Sequence, residues 1–310
     1  MPSDPISEVF DLIAIRGLVT SGFTARRAWV ARGTLTTQDL KFVAVARGGA
    51  RLTADGVDRP LVLEPGDVAV LSGRSWLEVR GGPEDEAPRE IDVEGAGHSP
   101  VAEEGADTLL GGHLVLNAVG RALLRQALPP VAHVRAATSA VPLRARLDQL
   151  LAEVAGDRVG SAFAVRQLGQ LLVLDMLRVH LDQAVLPPGW LRVLTDERLH
   201  PAVALMHAEP GRAWRLQTLA EAAAMSRTAF ATRFRAVAGV PPLTYLGRWR
   251  MLLARRALRE GEEPVGALAS ALGYASESAF STAFRREVGE PPLRYRKRVR
   301  ADAARPGAGG

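Results

Sequence analysis

The sequence predicts an α+β multidomain chain: an N-terminal barrel or double-sheet sandwich of short strands, a helical hairpin, and a C-terminal all-α domain with two helix-turn-helix motifs. Three observations predict it. Between Gly22 and Asn117, apolar runs of about four to eight residues alternate with Gly, Asp and Pro. After Pro129-Pro130 the apolar period lengthens to that of helices. The last hundred residues contain one pattern twice, some fifty positions apart.

With 310 residues and no cysteine, the chain has room for two or three cores and none of the chemistry of thiols: no disulfide, thiolate metal site or cysteine nucleophile. The start, MPSDPISEVF, carries Asp4 and Glu8 where a secretory leader needs basic residues. No apolar stretch approaches the ~20 residues of a membrane span, so a cytoplasmic protein is expected. Formal net charge is +5, unevenly spread. Residues 201–300 carry 17 Lys and Arg against 8 Asp and Glu, a balance of +9, whereas residues 1–200 carry 21 against 25, a balance of −4. A basic terminal domain on a mildly acidic body fits a part that meets phosphates and a part that does not. Simple solubility of a small domain is the alternative.

Residues 3–16 read as a short helix, with Ile6, Val9, Phe10 and Ile13 on one face and Ser3 as its cap, packing on the strands after it. The strand runs then include AWVARG, KFVAVARGG, ARLTADG, PLVLEPGD, VAVLSG, SWLEVR and LLGGHLVLN, reversing at Ala54-Asp55-Gly56 and Glu64-Pro65-Gly66-Asp67. Residues 81–107, rich in Gly, Pro, Glu and Asp, read as a long mobile loop. Helices are expected over Pro142–Ala155 and Ser161–Ala184. The second is apolar on nearly every side, through Leu168, Leu171, Leu172, Leu174, Met176 and Leu177, so either the barrel or a second subunit must cover what its hairpin partner does not. The sequence thus divides into 1–135, 136–190 and 195–300, with Leu186-Pro187-Pro188-Gly189 as linker and 301–310 as a disordered tail.

The repeat decides the reading. Ala229-Phe230, Phe234-Arg235, Gly239, Pro241-Pro242-Leu243 and Tyr245 recur as Ala279-Phe280, Phe284-Arg285, Gly289, Pro291-Pro292-Leu293 and Tyr295, while Leu219-Ala220 matches Leu268-Ala269 one position out of step. Each copy reads helix, tight turn, helix, over 216–238 and 265–288, with a linking helix over 242–260. Phe230, Phe234 and Val237 share one face of the second helix and must be buried. At about 100° per residue, the face turned away carries Thr228, Thr232 and Arg235, flanked by Ala231. The second copy presents Ser278, Thr282 and Arg285, flanked by Ser281. Small side chains let a helix enter the DNA major groove, Thr and Ala methyls can meet thymine methyls, and Arg can take a phosphate or a guanine. The linking helix, at ~27 Å, can hold the two faces for successive major grooves about 34 Å apart. Arg248, Arg250, Arg255, Arg256, Arg259 and the RYRKRVR cluster are candidates for phosphate contact or plain solvation.

Two such units joined by YLGRWRMLLARRAL and followed by ALGYASESAFSTAFRREVGEPPLRYR resemble the AraC/XylS family of transcription regulators over roughly residues 195–298. LEPGDVAVL, GHLVLN and LPPVAHVRA resemble the cupin-type effector domain of one branch of that family. The resemblance implies a cupin-like β-barrel, a dimerisation hairpin over 142–184 and a DNA-binding domain, in that order. It also implies base contacts from Arg227, Thr228, Ala231 and Thr232, and from Glu277, Ser278, Ser281 and Thr282. Partners so implied are double-stranded DNA, a second copy of the chain, a small-molecule effector, and RNA polymerase if the protein activates.

A cupin enzyme needs two or three histidines and a carboxylate clustered on neighbouring strands. The first histidine here is His98, inside the supposed loop, Trp76 stands after the PGD turn where related barrels place a histidine, and His113 and His133 are isolated. Nucleophile motifs, phosphate loops and cofactor motifs are also missing, so no enzyme, metal or cofactor is expected. Trp29, Phe42, Trp76 and His113 are the inward candidates for an effector pocket, or else simply fill the barrel. A barrel serving assembly alone, without ligand, is the competing view of the same domain; a cupin enzyme with a regulatory helical domain is the third.

Overall fold

The computed structural model describes residues 5–13, 15–35, 40–83, 85–92, 105–136, 141–156, 158–183 and 186–304. The chain divides into two compact units: Ile13–Val185, and Met1–Leu12 together with Leu186–Gly310.

The first unit holds two five-stranded sheets. One runs in the order β1 (Ile15–Ala25), β9 (Asp107–Leu116), β3 (Leu40–Arg47), β6 (Val68–Ser72), β10 (Val131–Val134), all antiparallel. The other runs β5 (Leu61–Leu63), β4 (Ala50–Ala54), β7 (Trp76–Gly81), β2 (Trp29–Thr34), β8 (Arg89–Ile91), with only β2 and β8 parallel. The core lies between them: Phe23, Val43, Val45, Leu71 and Leu109 from the first sheet meet Trp29, Leu52, Leu63 and Val79 from the second. The second face of the first sheet is covered by a hairpin of α3 (Val141–Ala155) and α4 (Ser161–Gln183), which touch β1, β3 and β10. This explains β6, where all five residues are buried: it has protein on both faces. It also explains α4, whose carboxy-terminal half buries Leu172, Val173, Met176, Leu177 and Val179, while Phe163 and Leu171 stay exposed.

Several expectations change here. The amino-terminal helix is only α1 (Pro5–Phe10); residues expected to continue it enter β1, which pairs with β9 along ten positions from Ile15↔Leu116 to Ala25↔Asp107. Helix α1 belongs with the terminal unit, where it touches α5 (Trp190–Leu194) and α6 (His200–Ala208), not with the barrel as the 1–135 division had it. The hairpin, set apart at 136–190, shares the unit of the sheets that it covers. The supposed 81–107 loop contains β8, where Glu90 answers Arg32 across the parallel pair at 3.0 Å; residues 93–104, His98 among them, lie outside the described residues. A helix α2 (Ala118–Ala127), capped by Asn117, and the strand β10 fill the interval before α3.

The second unit continues with α7 (Leu216–Ala222), α8 (Arg227–Ala238), α9 (Pro242–Glu260), α10 (Val265–Ala271), α11 (Glu277–Val288) and α12 (Pro292–Ala304). Helix α12 runs four residues into the stretch taken as tail, because Tyr295 and Val299 anchor its apolar side; residues 305–310 lie outside the described set.

Candidate nucleic-acid interface

Helices α8 and α11 are built by the same local rules. Ser226 Oγ accepts the Ala229 N–H at 3.2 Å and Ser276 Oγ accepts that of Ala279 at 3.1 Å, satisfying one free donor at each amino terminus. Gly239 and Gly289 end the helices in the left-handed region, at φ 73° and 88°, before each Pro-Pro. Phe230, Phe234, Phe280 and Phe284 are completely buried. Each pair leads to a tyrosine: Phe234–Tyr245 and Phe284–Tyr295 both have ring centroids 5.5 Å apart at 71°. The same T-shaped contact therefore fixes each second helix against the helix next in the chain.

With those faces fixed inward, the opposite faces are open. Arg227, Thr228, Thr232 and Arg235 are exposed on α8 and Ala231 is half-buried; Glu277, Ser278, Thr282 and Arg285 are exposed on α11 and Ser281 is half-buried. The burial sequence is identical position by position over the first ten residues of the two helices. Neither ridge is packed inside the molecule.

The two modules also touch. Gly211, before α7, and Gly273, after α10, approach so closely that a Cβ on Gly211 would lie 2.2 Å from the Ala271 carbonyl oxygen. Arg250 of α9 seals this contact, donating from Nε to the Pro210 carbonyl at 2.6 Å and from Nη2 to that of Arg212 at 3.0 Å, with its guanidinium over the Tyr274 ring. Half-burial draws its pKa below the usual guanidinium value. Arg250 thus leaves the set of free phosphate ligands, as do Arg256 and Arg259, paired with Glu260, and Arg298, paired with Glu290.

Residues 219–298 match the family model described as a helix-turn-helix domain and residues 4–182 the one described as cupin. An AraC-like transcription regulator of Streptomyces lividans is 34% identical over 284 residues, 88% of this chain and 91% of that one. Its counterpart from Streptomyces antibioticus is 36% identical over 285 residues, 88% and 92% of the respective chains. The chain belongs to the AraC family. This regulator is also similar to the DNA-binding domain of AdpA, solved in complex with a target DNA: 33% identity over 36% of this chain and all of that one, at TM-score 0.34. An AraC-type DNA-binding regulator of transcription, with an N-terminal cupin domain, is therefore what the fold and its duplicated module make.

In the cupin domain of this regulator the four inward candidates do not converge. Trp29 is a core residue, its indole N–H donating to Asp107 Oδ2 at 2.7 Å and its ring edge-on to Phe23 at 5.1 Å. Phe42 is buried on the other face of its sheet, since alternation gives the inter-sheet side to Val43 and Val45. Trp76 is 43% exposed and lies on the outer side of β7, beside Arg32 and Asp92. His113 is half-buried opposite Lys41. His133 bonds Asp67 at 2.8 Å, and the second Asp67 oxygen accepts the Ala136 N–H, so this pair ties β10 to the PGD turn. Among the described residues no three His, Asp or Glu side chains are grouped to hold a metal, and no helix is long and apolar enough to cross a membrane.

Two features escaped sequence reasoning. Arg233 on α8 grips Asp196 between α5 and α6, with Nη2–Oδ2 at 2.8 Å, and Glu8 of α1 reaches His207 of α6. The repeat held a signal for the first, because Arg233 stands where the second copy has Ala283.

Proposed function

We propose that this regulator reads two successive major grooves with α8 and α11, through Arg227, Thr228, Ala231, Thr232 and Arg235 in the first and Glu277, Ser278, Ser281, Thr282 and Arg285 in the second. One observation carries the reading: two sequence copies bury the same aromatic pair and leave the same small polar face open. Thr and Ser supply hydroxyls and, for Thr, a methyl at base edges, while the arginines supply charge. Selection of binding sites from random DNA by the purified chain tests it. Thr232→Ala and Thr282→Ala are expected to change the recovered sequence at separate positions about one helical turn apart. An unchanged recovered sequence for both rejects these helices as readers.

The active species is a homodimer joined through residues 142–184. Its support is the pair of large apolar side chains left open on α4, Phe163 at 61% and Leu171 at 40% exposure, in a hairpin whose other apolar face is already covered. A small molecule acting on the N-terminal domain tunes DNA binding, and the protein works as a cytoplasmic regulator and not as an enzyme. Support for the effector is the cupin family match, and no residues are assigned to it because Trp29, Phe42, Trp76 and His113 do not line one chamber. A thermal-shift screen of metabolites against the full chain tests that part.

A further inference from the structure

Beside the first recognition helix lies an arginine-bearing corner. The corner is the turn between α5 and α6, pinned from within by Trp190, Leu191, Val193 and Leu199, all buried. Asp196 organises it: one carboxylate oxygen accepts the N–H groups of Arg198 and Leu199, both at 3.1 Å. The same carboxylate takes Arg233 of α8 through Nε at 3.2 Å and Nη2 at 2.8 Å. This two-pronged pair locks α8 to the corner and cancels the charge of Asp196. Between corner and helix runs a concavity of about 700 Å³, with Arg192 and Arg198 on one wall and Thr228 and Thr232 on the other. Neither Arg192 nor Arg198 makes an ion pair among the described residues. Glu197, between them, is not part of the lining.

We infer that this corner is a seat for the sugar-phosphate backbone, with Arg192 and Arg198 as phosphate-contacting residues that extend the footprint beyond the first module. The inference rests on α8 being a reading helix. A helix ~10–12 Å across fills a major groove about 12 Å wide, so the surfaces flanking its reading face meet the two bordering strands. The concavity shares Thr228 and Thr232 with that face, which puts a strand between them and the two arginines. Such contacts fix register without reading sequence. Because Ala283 replaces Arg233 in the second copy, the added protection falls on one end of the site only.

The test uses the full chain and the DNA it selects from a random pool. Affinity is measured against salt, and backbone protection by hydroxyl-radical footprinting, for Arg192→Gln/Arg198→Gln, for the corresponding double Lys variant, and for Thr232→Ala and Thr282→Ala. Loss of two phosphate contacts lowers the salt slope by about 1.8, at about 0.9 per contact. The Gln variant should also lose backbone protection outside the first module, keep its base preference, and be restored in slope by Lys, which excludes misfolding as the cause. An unchanged slope and footprint for the Gln variant, or a Lys variant no better than Gln, overturns the seat. If the threonine variants leave base preference intact, it is the reading by α8 and α11 that fails; if they shift it while the Gln variant is silent, only the seat does.

Discussion

Glu8 and His207 stand 199 positions apart in the chain and 3.1 Å apart in space, carboxylate to Nδ1. His207 is sealed on its other sides: Nε2 lies 2.9 Å from the Tyr245 hydroxyl, and the ring stacks on Trp249 at 3.9 Å and 3°. A carboxylate only accepts, so Nδ1 carries the proton and Nε2 accepts from Tyr245. The first helix of the chain is thereby stapled to the helix before the first module and, through Tyr245, to the aromatic relay behind α8.

Burial drives the His207 pKa down to about 3 and raises that of Tyr245. The unfolded chain binds a proton on this histidine below pH 6.5 and the folded chain does not. The neutral imidazole therefore contributes stability that is fully present above pH 6.5 and is lost as pH falls toward 3, at up to about 1.4 kcal/mol per pH unit. Denaturant unfolding at pH 7.5 and pH 5 should show a steeper loss for the natural chain than for His207→Gln. Equal slopes would mean that the folded protein protonates this ring after all.

Glu8→Ala leaves the buried Nδ1–H without its acceptor and should cost about 1–3 kcal/mol in the terminal unit, whereas Glu8→Gln retains an acceptor and should cost less. Unfolding monitored by tryptophan fluorescence separates the two, since Trp249 stacks on the ring that Glu8 holds.

The turns of the two modules differ at one informative place. Ala224 has φ 51° in the first, and Gly273 has φ 74° in the second, at the offset of 49 that aligns Leu219 with Leu268. A Cβ in the left-handed region costs roughly 1–2 kcal/mol, and glycine removes that cost in exchange for greater freedom of the unfolded chain. Ala224→Gly should leave stability unchanged or raise it by up to about 1 kcal/mol, read from the denaturation midpoint. The reverse change, Gly273→Ala, should destabilise more, because its added Cβ would also lie 2.1 Å from the Gly211 carbonyl oxygen.

How legible all this was in sequence depended on whether a residue's role is local. The duplicated modules were readable because each copy repeats its own punctuation, Phe at i and i+4, then Gly and Pro-Pro, and helical geometry converts that spacing into an inward and an outward face. Strand β8 was hidden because three residues in a stretch rich in Gly, Pro and acids carry no periodicity, and its place beside β2 comes from a long-range pairing with Arg32. Phe42 was misplaced for a different reason. Alternation says that neighbours face opposite ways, but in a strand covered on both sides both sets are apolar, so period alone does not say which face is the sandwich interior. Glu8–His207 and Arg233–Asp196 join distant segments and left no local trace.

The contact between modules makes the last prediction. Gly211 and Gly273 let two backbones meet, and Arg250 closes the seam with two carbonyl acceptors from one module and a tyrosine ring from the other. If that seam fixes the two reading faces relative to each other, breaking it should weaken binding to the complete site while leaving each half legible. Arg250→Ala is expected to lower affinity for a two-groove site by about tenfold or more, through the freedom gained between modules, and to change affinity for a DNA carrying only one half-site much less. Arg250→Lys should rescue only partly, since an ammonium cannot reproduce the planar fork that reaches two carbonyls and stacks on Tyr274. Titrations of the three proteins against full and half sites give the answer; equal losses on both DNAs would mean that Arg250 serves the fold of one module and not the coupling of two.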